Sequence, residues 1–522
     1  LLLYYYYYYD DDYYYDFLPL SSGTYIVYDI VKTASYWTCN GCMDNLDSFS
    51  TTNEYTQSGS WPGFSGSDKT FHITSASSLL IGEAQGDATS IDANGVTRPQ
   101  GGGSDVGAYE YRNTWDGSES TDWATAANWS LNTVPSTTSA YDSPYITNET
   151  NDPVISGDVI VDNLFIENAA QLTIQKTGSL KLTEHLIQNG TLTMQSDSNN
   201  YSSLIVQGNS YGEDVHVYDS GNLGVSSTYS GDITYQRHIA DEGSNEWDFI
   251  GSPLEGQTMS AFVSANSNLA DNGVQYAIGN FSNDGSTDTA AAVYTNYTSD
   301  GSGAGNVSAN SFVIGKGYAM ATDESVGGSD NDGTTLDFTG TVKTNNLAAY
   351  TIDDNTTNLT QYGKFNLVSN PFTSFINAND DAHASNNFLT VNASNLHTSY
   401  AAVYAYDGDG TFTAINHTSP GSAVYIAPGQ GFFVASDDSG GNTISFTEVM
   451  QTNGGGDDFI SGDALSDSYE VLLRLYHGDE QIEETLLYFE EGLSLGLDPG
   501  YDAGNYYSDA AIMTRLVEED EG

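Results

Sequence analysis

Short apolar runs broken by Gly, Asn, Asp and Ser recur along most of the chain, and long Ala/Leu/Glu/Lys stretches with helical spacing are nearly absent. Val, Ile, Thr, Tyr and Phe dominate these runs, which is the composition of strands and turns. The clearest periodicity places apolar pairs at alternate positions. Leu164/Ile166, Leu172/Ile174 and Leu180/Leu182 follow one another at steps of eight, and Leu192/Met194 and Leu204/Val206 follow at steps of twelve. Alternation gives each strand one inward face, and recurrence of the pair predicts a solenoid in which each strand stacks on the last. Asn168, Gly178, Asn189-Gly190 and Asn199-Asn200 supply the turns.

From about residue 237 the pattern repeats itself. Trp247-Asp248-Phe249-Ile250-Gly251-Ser252-Pro253 parallels Phe365-Asn366-Leu367-Val368-Ser369-Asn370-Pro371, and Ala291-Ala292-Val293-Tyr294 parallels Ala401-Ala402-Val403-Tyr404. Ile314-Gly315-Lys316-Gly317-Tyr318 parallels Pro428-Gly429-Gln430-Gly431-Phe432, and Leu336-Asp337-Phe338-Thr339 parallels Ile444-Ser445-Phe446-Thr447. The matches keep their order, which predicts two copies with the strand spacing of a β-sandwich or jelly roll. In the Gly-x-Gly-aromatic element the glycines allow a positive φ or a bulge while the aromatic re-enters the core. No helix pattern and no Lys-Ser/Thr follows, so a phosphate cradle is set aside. Tyr469–Leu475 and Glu484–Phe489 read as paired strands of an incomplete C-terminal β domain.

The expected fold is therefore all-β. It divides into residues 1–112, a cap and β-solenoid over 113–236, sandwich copies over 237–345 and 346–460, and a partial β domain over 461–522. The homopolymeric start, Leu1–Leu3, Tyr4–Tyr9, Asp10–Asp12 and Tyr13–Tyr15, carries no functional reading.

Three segments resemble known surface proteins. Ile91-Asp92-Ala93-Asn94-Gly95-Val96-Thr97-Arg98-Pro99 followed by Asp105-Val106-Gly107-Ala108-Tyr109-Glu110 resembles the last coils of right-handed parallel β-helices on Bacteroidetes surfaces. That resemblance implies that residues 1–112 are terminal coils of a longer helix lying upstream. Thr114-Trp115-Asp116-Gly117, Asp122-Trp123 and Ala127-Asn128-Trp129 resemble a segment that precedes a small solenoid in such proteins. Leu497-Asp498-Pro499-Gly500-Tyr501-Asp502-Ala503-Gly504 resembles the region before the sorting domain of proteins exported by the type IX secretion route.

Charge sharpens the picture. With 70 acidic residues against 12 basic ones the net charge is −58, so no basic patch is available for nucleic acid or anionic lipid. An acidic coat attracts divalent cations, and Asp407-Gly408-Asp409-Gly410 and Asp330-Asn331-Asp332-Gly333, with Asp337 nearby, place oxygens at alternate positions suited to Ca²⁺. Neither completes an EF-hand, and Asp-Gly hairpin turns use the same residues for backbone reasons. Trp115, Trp123 and Trp129 form a candidate glycan-stacking platform, although packing of a small cap is the stronger reading. Cys39 and Cys42, the only cysteines, lack the further ligands of a zinc site, leaving a loop disulfide or free thiols.

No apolar run reaches the ~18 residues of a membrane span, and no H-E-x-x-H is present. The eight scattered His residues and the many acids single out no catalytic residue. The leading expectation is a non-enzymatic, extracellular adhesin or fibre-like structural protein that meets a surface glycan, a protein ligand or copies of itself. The alternatives are a secreted glycan-active β-helix enzyme with carbohydrate-binding sandwiches, and the stalk of a type IX substrate whose partners include secretion components.

Overall fold

The computed structural model describes residues 111–207 except 139–142, 233–323 except 241–246 and 288, and 333–455 except 360–361, 407–411, 418–422 and 437–441; it also describes the strand backbones of 7–9, 12–14, 469–477 and 480–489. The fold is all-β, with only short helices between strands. The expected β-helix coils over residues 1–110 fall outside this description, apart from a pairing of 7–9 with 12–14.

The first part is a three-sided coil of parallel strands. Its first side stacks β1 (Thr114–Trp115), β2 (Tyr145–Ile146), β5 (Leu164–Ile166) and β8 (Leu186–Gln188). The second side stacks β3 (Val154–Ile155), β6 (Gln171–Ile174), β9 (Thr191–Gln195) and β11 (Ile233–Ile239), and the third β4 (Asp158–Val161), β7 (Ser179–Leu182) and β10 (Ser203–Val206). Leu164 pairs with Leu186, Leu172 with Leu192, and Leu180 with Leu204. The eight-residue step is therefore one side of the coil and not one layer, which corrects the expectation that each strand stacks on the preceding one. The physical reason is the corner: a turn after each short strand redirects the chain by one side, so each strand from β5 to β10 stacks on the third strand before it. Leu164, Leu172 and Leu180 are all buried, but they line three different walls of one interior.

A coil end exposes the inside of its last layer, and the three tryptophans close it. Trp115 stacks below Ile146 on the first side, and Trp123 reaches the second side through its backbone N–H to the Val154 carbonyl (3.1 Å). Trp129 stands edge-on to both rings, with centroids 5.1 Å from Trp115 and 4.7 Å from Trp123. Exposures of 0, 2 and 2% leave no ring face for a sugar, so the stacking platform is corrected to a cap. The Trp129 Nε1–H donates to the Trp123 carbonyl at 2.9 Å. Trp129→Phe is expected to lose that bond and part of the plug, costing about 1–2 kcal/mol in equilibrium unfolding.

The second part is a true duplication. In the first copy β12 (Asp248–Ile250) and β13 (Leu254–Glu255) precede helix α1 (Met259–Ala265). Then come β14 (Gln275–Phe281), α2 (Ala290–Val293), β15 (Tyr294–Thr298), β16 (Tyr318–Met320) and β17 (Thr334–Val342). The second copy begins with β18 (Leu347–Ile352), β19 (Phe365–Ser369), β20 (Phe375–Asn377) and α3 (Phe388–Asn392). It continues through β21 (Val403–Tyr406), β22 (Phe412–Ile415), β23 (Tyr425–Ile426), β24 (Gly431–Ala435), β25 (Asn442–Phe446) and β26 (Gln451–Thr452). The four-stranded sheets have the same order, β12-β16-β14-β15 and β19-β24-β21-β22. Register agrees as well: Ile250 faces Tyr318 where Val368 faces Phe432.

A polar clamp repeats too. Asn266, at the end of α1, donates to the Phe262 and Asp337 carbonyls and accepts from the Asp337 N–H; Asn392 makes the same three bonds to Phe388 and Ser445. One expected match fails. Gly279 on β14 and Tyr404 on β21 occupy equivalent ladder positions, opposite Ala319 and Phe433. Ala291–Val293 belong to α2 and Tyr294 opens β15, one strand later, because the first copy carries the longer connection between its hairpin strands.

The parts are not separate beads. Strand β11 is both the last strand of the coil's second wall and, antiparallel to β17, the first strand of copy one. The boundary expected between 236 and 237 thus falls inside a strand. On the third wall, Leu204 and Thr373 exchange two hydrogen bonds of 2.8 Å, so copy two continues the coil upward. The copies meet at a seam with approximate two-fold symmetry. The Gly251 N–H donates to the Gly429 carbonyl (2.7 Å), and the equivalent Ser369 N–H donates to the Gly315 carbonyl (2.9 Å). Gly315 and Gly429 have φ of 80° and 68°, a conformation that favours glycine, which accounts for the first glycine of each Gly-x-Gly element. Behind the seam, Phe249, Phe281 and Ala319 share one core with Phe365, Leu367, Tyr404 and Phe433. Finally β27 (Tyr469–His477) and β28 (Glu480–Phe489) form the expected C-terminal hairpin.

Candidate functional site

The second wall of the coil continues through β17 and β13 into a six-stranded sheet, ordered β13-β17-β11-β9-β6-β3. Its inner side is apolar: Ile174, Met194, Tyr235 and Phe338 lie in one column and are fully buried. Because side chains alternate along a strand, the residue between two inward positions must face out. That rule places Thr173, Thr193, Thr234 and Thr339 in register across β6, β9, β11 and β17, all half-buried on the outer face. Strand spacing sets these hydroxyls roughly 4.8 Å apart.

Beside this column run Gln195, Gln236 and Asp337, also in register. The Gln195 and Gln236 side-chain amides lie 3.5 Å apart, and Gln236 Nε2 donates to Asp337 Oδ1 at 3.2 Å, which holds the column upright. Gln257 Nε2 donates to the Thr339 hydroxyl at 3.0 Å. The hydroxyls of Thr173, Thr193 and Thr234 make no hydrogen bond among the described residues. A sheet face with vacant donors and acceptors in register can contact a repeating polar ligand through many weak bonds.

A second polar cluster lies on copy two. Asp380 Oδ1 accepts from Thr390 Oγ1 (2.6 Å), Asn387 Nδ2 (2.8 Å) and His417 Nδ1 (3.0 Å), while the Asp380 N–H donates to the His417 carbonyl (2.8 Å). Burial pushes the carboxyl's pKa up, but the donors from Thr390, His417 and Asn387 outweigh it and hold the group below 3.8. A carboxylate whose folded pKa is depressed stabilises the fold above its unfolded pKa, and that contribution is lost as pH falls through the folded value. Wild-type stability is therefore expected to drop below about pH 4, by no more than about 1 kcal/mol for this partly exposed group. Urea titrations from pH 6 to 2.5 should show an Asp380→Asn variant lacking that part of the drop; parallel curves would refute it. The cluster pins the 379–387 segment to 416–417, a structural task.

Of the calcium candidates, Asp337 lies on the threonine face in its bond to Gln236, and Asp330, Asp332, Asp407 and Asp409 fall outside the described residues. So do Cys39 and Cys42. Among the described residues no group of three or more His, Cys, Asp or Glu is arranged to hold a metal, and no helix is long and apolar enough to cross a membrane. The threonine column escaped sequence reading although its signal was present. Leu172-Thr173-Ile174, Leu192-Thr193-Met194 and Ile233-Thr234-Tyr235 repeat an apolar-Thr-apolar triplet.

Fold and face together define an all-β protein in which a parallel coil and a duplicated antiparallel module form one body. The chain belongs to a family described as a domain of unknown function (DUF8693), whose model matches residues 114–521. The match begins at β1 and runs past β28, so it spans the coil and both copies. No curated protein and no solved structure matches the chain.

Proposed function

We propose that this protein is an extracellular, non-enzymatic adhesin or fibre-like structural protein that acts through its rigid β surface. The observation that supports it best is mechanical. The coil, copy one and copy two share strands, a seam and cores, so a ligand on one face is held by the whole body and not by a loop. Preorganised surfaces bind with little ordering cost. The acidic charge suits a soluble coat exposed to salt, and the resemblance at Leu497–Gly504 supports export by the type IX route.

The test uses the full chain on an array of glycans and protein ligands, with sedimentation run in parallel. Saturable capture by an arrayed ligand, or concentration-dependent self-association, is expected. Neither response up to about 100 µM, where even weak specific contacts register, would remove the adhesive and fibre roles alike.

A further inference from the structure

We propose that the outer face of the six-stranded sheet binds a neutral, hydroxyl-rich polysaccharide along the column Thr173–Thr193–Thr234–Thr339. The proposal rests on the adhesive reading above and names its ligand class.

Three observations carry it. The column crosses four adjacent strands in unbroken register, so it offers identical groups at one repeat. A threonine presents a hydroxyl, which donates and accepts, beside a methyl; a sugar ring presents hydroxyls beside C–H groups. The strand repeat of roughly 4.8 Å is also comparable to the length of one pyranose unit along an extended chain. Second, the hydroxyls of Thr173, Thr193 and Thr234 make no hydrogen bond among the described residues, whereas Gln195 and Gln236 next to them are braced and can accept or donate at fixed places. Third, charge selects among polymers. The columns contain no Lys or Arg and one carboxylate, Asp337; Lys343 and Lys176 at the strand ends are paired with Glu255 and Asp197, and the chain carries a net charge of −58. Polyanions such as uronic-acid polymers are repelled, and neutral ones are not. Several weak contacts at one repeat add up along a chain that spans all four strands.

The experiment is retention of the full chain on microcrystalline cellulose, chitin and an insoluble β-1,3-glucan, with alginate beads as the acidic arm. Binding to at least one neutral polymer is expected. Thr193→Lys with Thr234→Lys should lower it at least tenfold, because two bulky cations interrupt the column. Thr193→Val with Thr234→Val keeps the β-branched shape and removes only the hydroxyls; it should weaken binding severalfold, and it decides the matter if the lysine pair misfolds. Lys181→Gln, on the outer side of the coil's third wall, should bind as wild type does.

The inference is overturned by retention that the valine pair leaves unchanged, by retention on alginate alone, or by no retention on any neutral polymer. If array capture by a protein ligand persists in those cases, the adhesive role stands and only the polysaccharide falls. If the array and sedimentation are blank as well, both fall together.

Discussion

Arg237→Ala is expected to cost about 4 kcal/mol and to split unfolding into two transitions. Arg237 is 1% exposed and touches all three parts of the body. Its guanidinium lies 4.1 Å from the ring centre of Tyr201 in the coil, Nη1 donates to the His238 carbonyl on β11 (2.8 Å), and Nε donates to the Pro428 carbonyl of copy two (3.0 Å). Bonds from a charged donor are worth about 1.5–3 kcal/mol each, and a desolvated cation–π contact about 2. Context and a partly collapsing cavity set the estimate below their sum. Arg237→Met keeps most of the stem and should cost about half as much, since replacing buried charge by an apolar side chain often restores packing. Urea unfolding followed by tryptophan fluorescence in a Trp247→Phe background, where Trp115, Trp123 and Trp129 of the coil cap remain, and by far-ultraviolet dichroism, which reports all sheets, distinguishes the outcomes. Coincident curves for the alanine variant, with a loss below about 1 kcal/mol, would show that the junction does not depend on this side chain.

At the seam, Gly251→Ala should be at least as damaging, with a loss of about 3–5 kcal/mol. A Cβ at 251 would sit 1.9 Å from Ser369 Oγ and 2.5 Å from the Lys316 carbonyl oxygen. The hydroxyl can be removed by mutation, but the carbonyl belongs to the backbone. Adding Ser369→Gly is therefore expected to recover part of the loss and not all of it. Ser369→Gly alone forfeits the 3.0 Å bond from Ser369 Oγ to the Lys316 carbonyl and should cost about 1 kcal/mol. A double-mutant cycle reads the coupling directly. Additive losses would mean that 251 and 369 do not face each other across the axis. The pair also explains why equivalent positions differ: a side chain fits on one side of the axis only when the other side carries none.

Both results depend on contacts that strand patterns do not reveal. Arg237 has the same parity as inward Tyr235 and Ile239, so its inward direction follows from pattern, yet nothing local says that Pro428 and Tyr201 meet it there. Gly251 stands in a recognisable repeat, Gly251-Ser252-Pro253 against Ser369-Asn370-Pro371, but the repeat does not say that the copies face one another. The tryptophans show the reverse case. Three large rings close together fit an exposed platform or a plug, and the choice fell to the plug because the coil's first layer needs an apolar floor.

What the amino-acid order determined on its own was the period: alternation makes strands, Gly and Asn make corners, and the ordered matches make two copies. Those properties belong to neighbours along the chain and survive without knowing where anything else lies. Folding in space decided which strands became partners, since a corner sends the chain to a new wall and the partners from β2 to β10 are three strands apart. It also decided that β11 serves two parts at once, that Asp337 stands beside a threonine column, and that the copies lock about an axis. Each is a contact between distant segments, set by which surfaces must be covered once the strands exist.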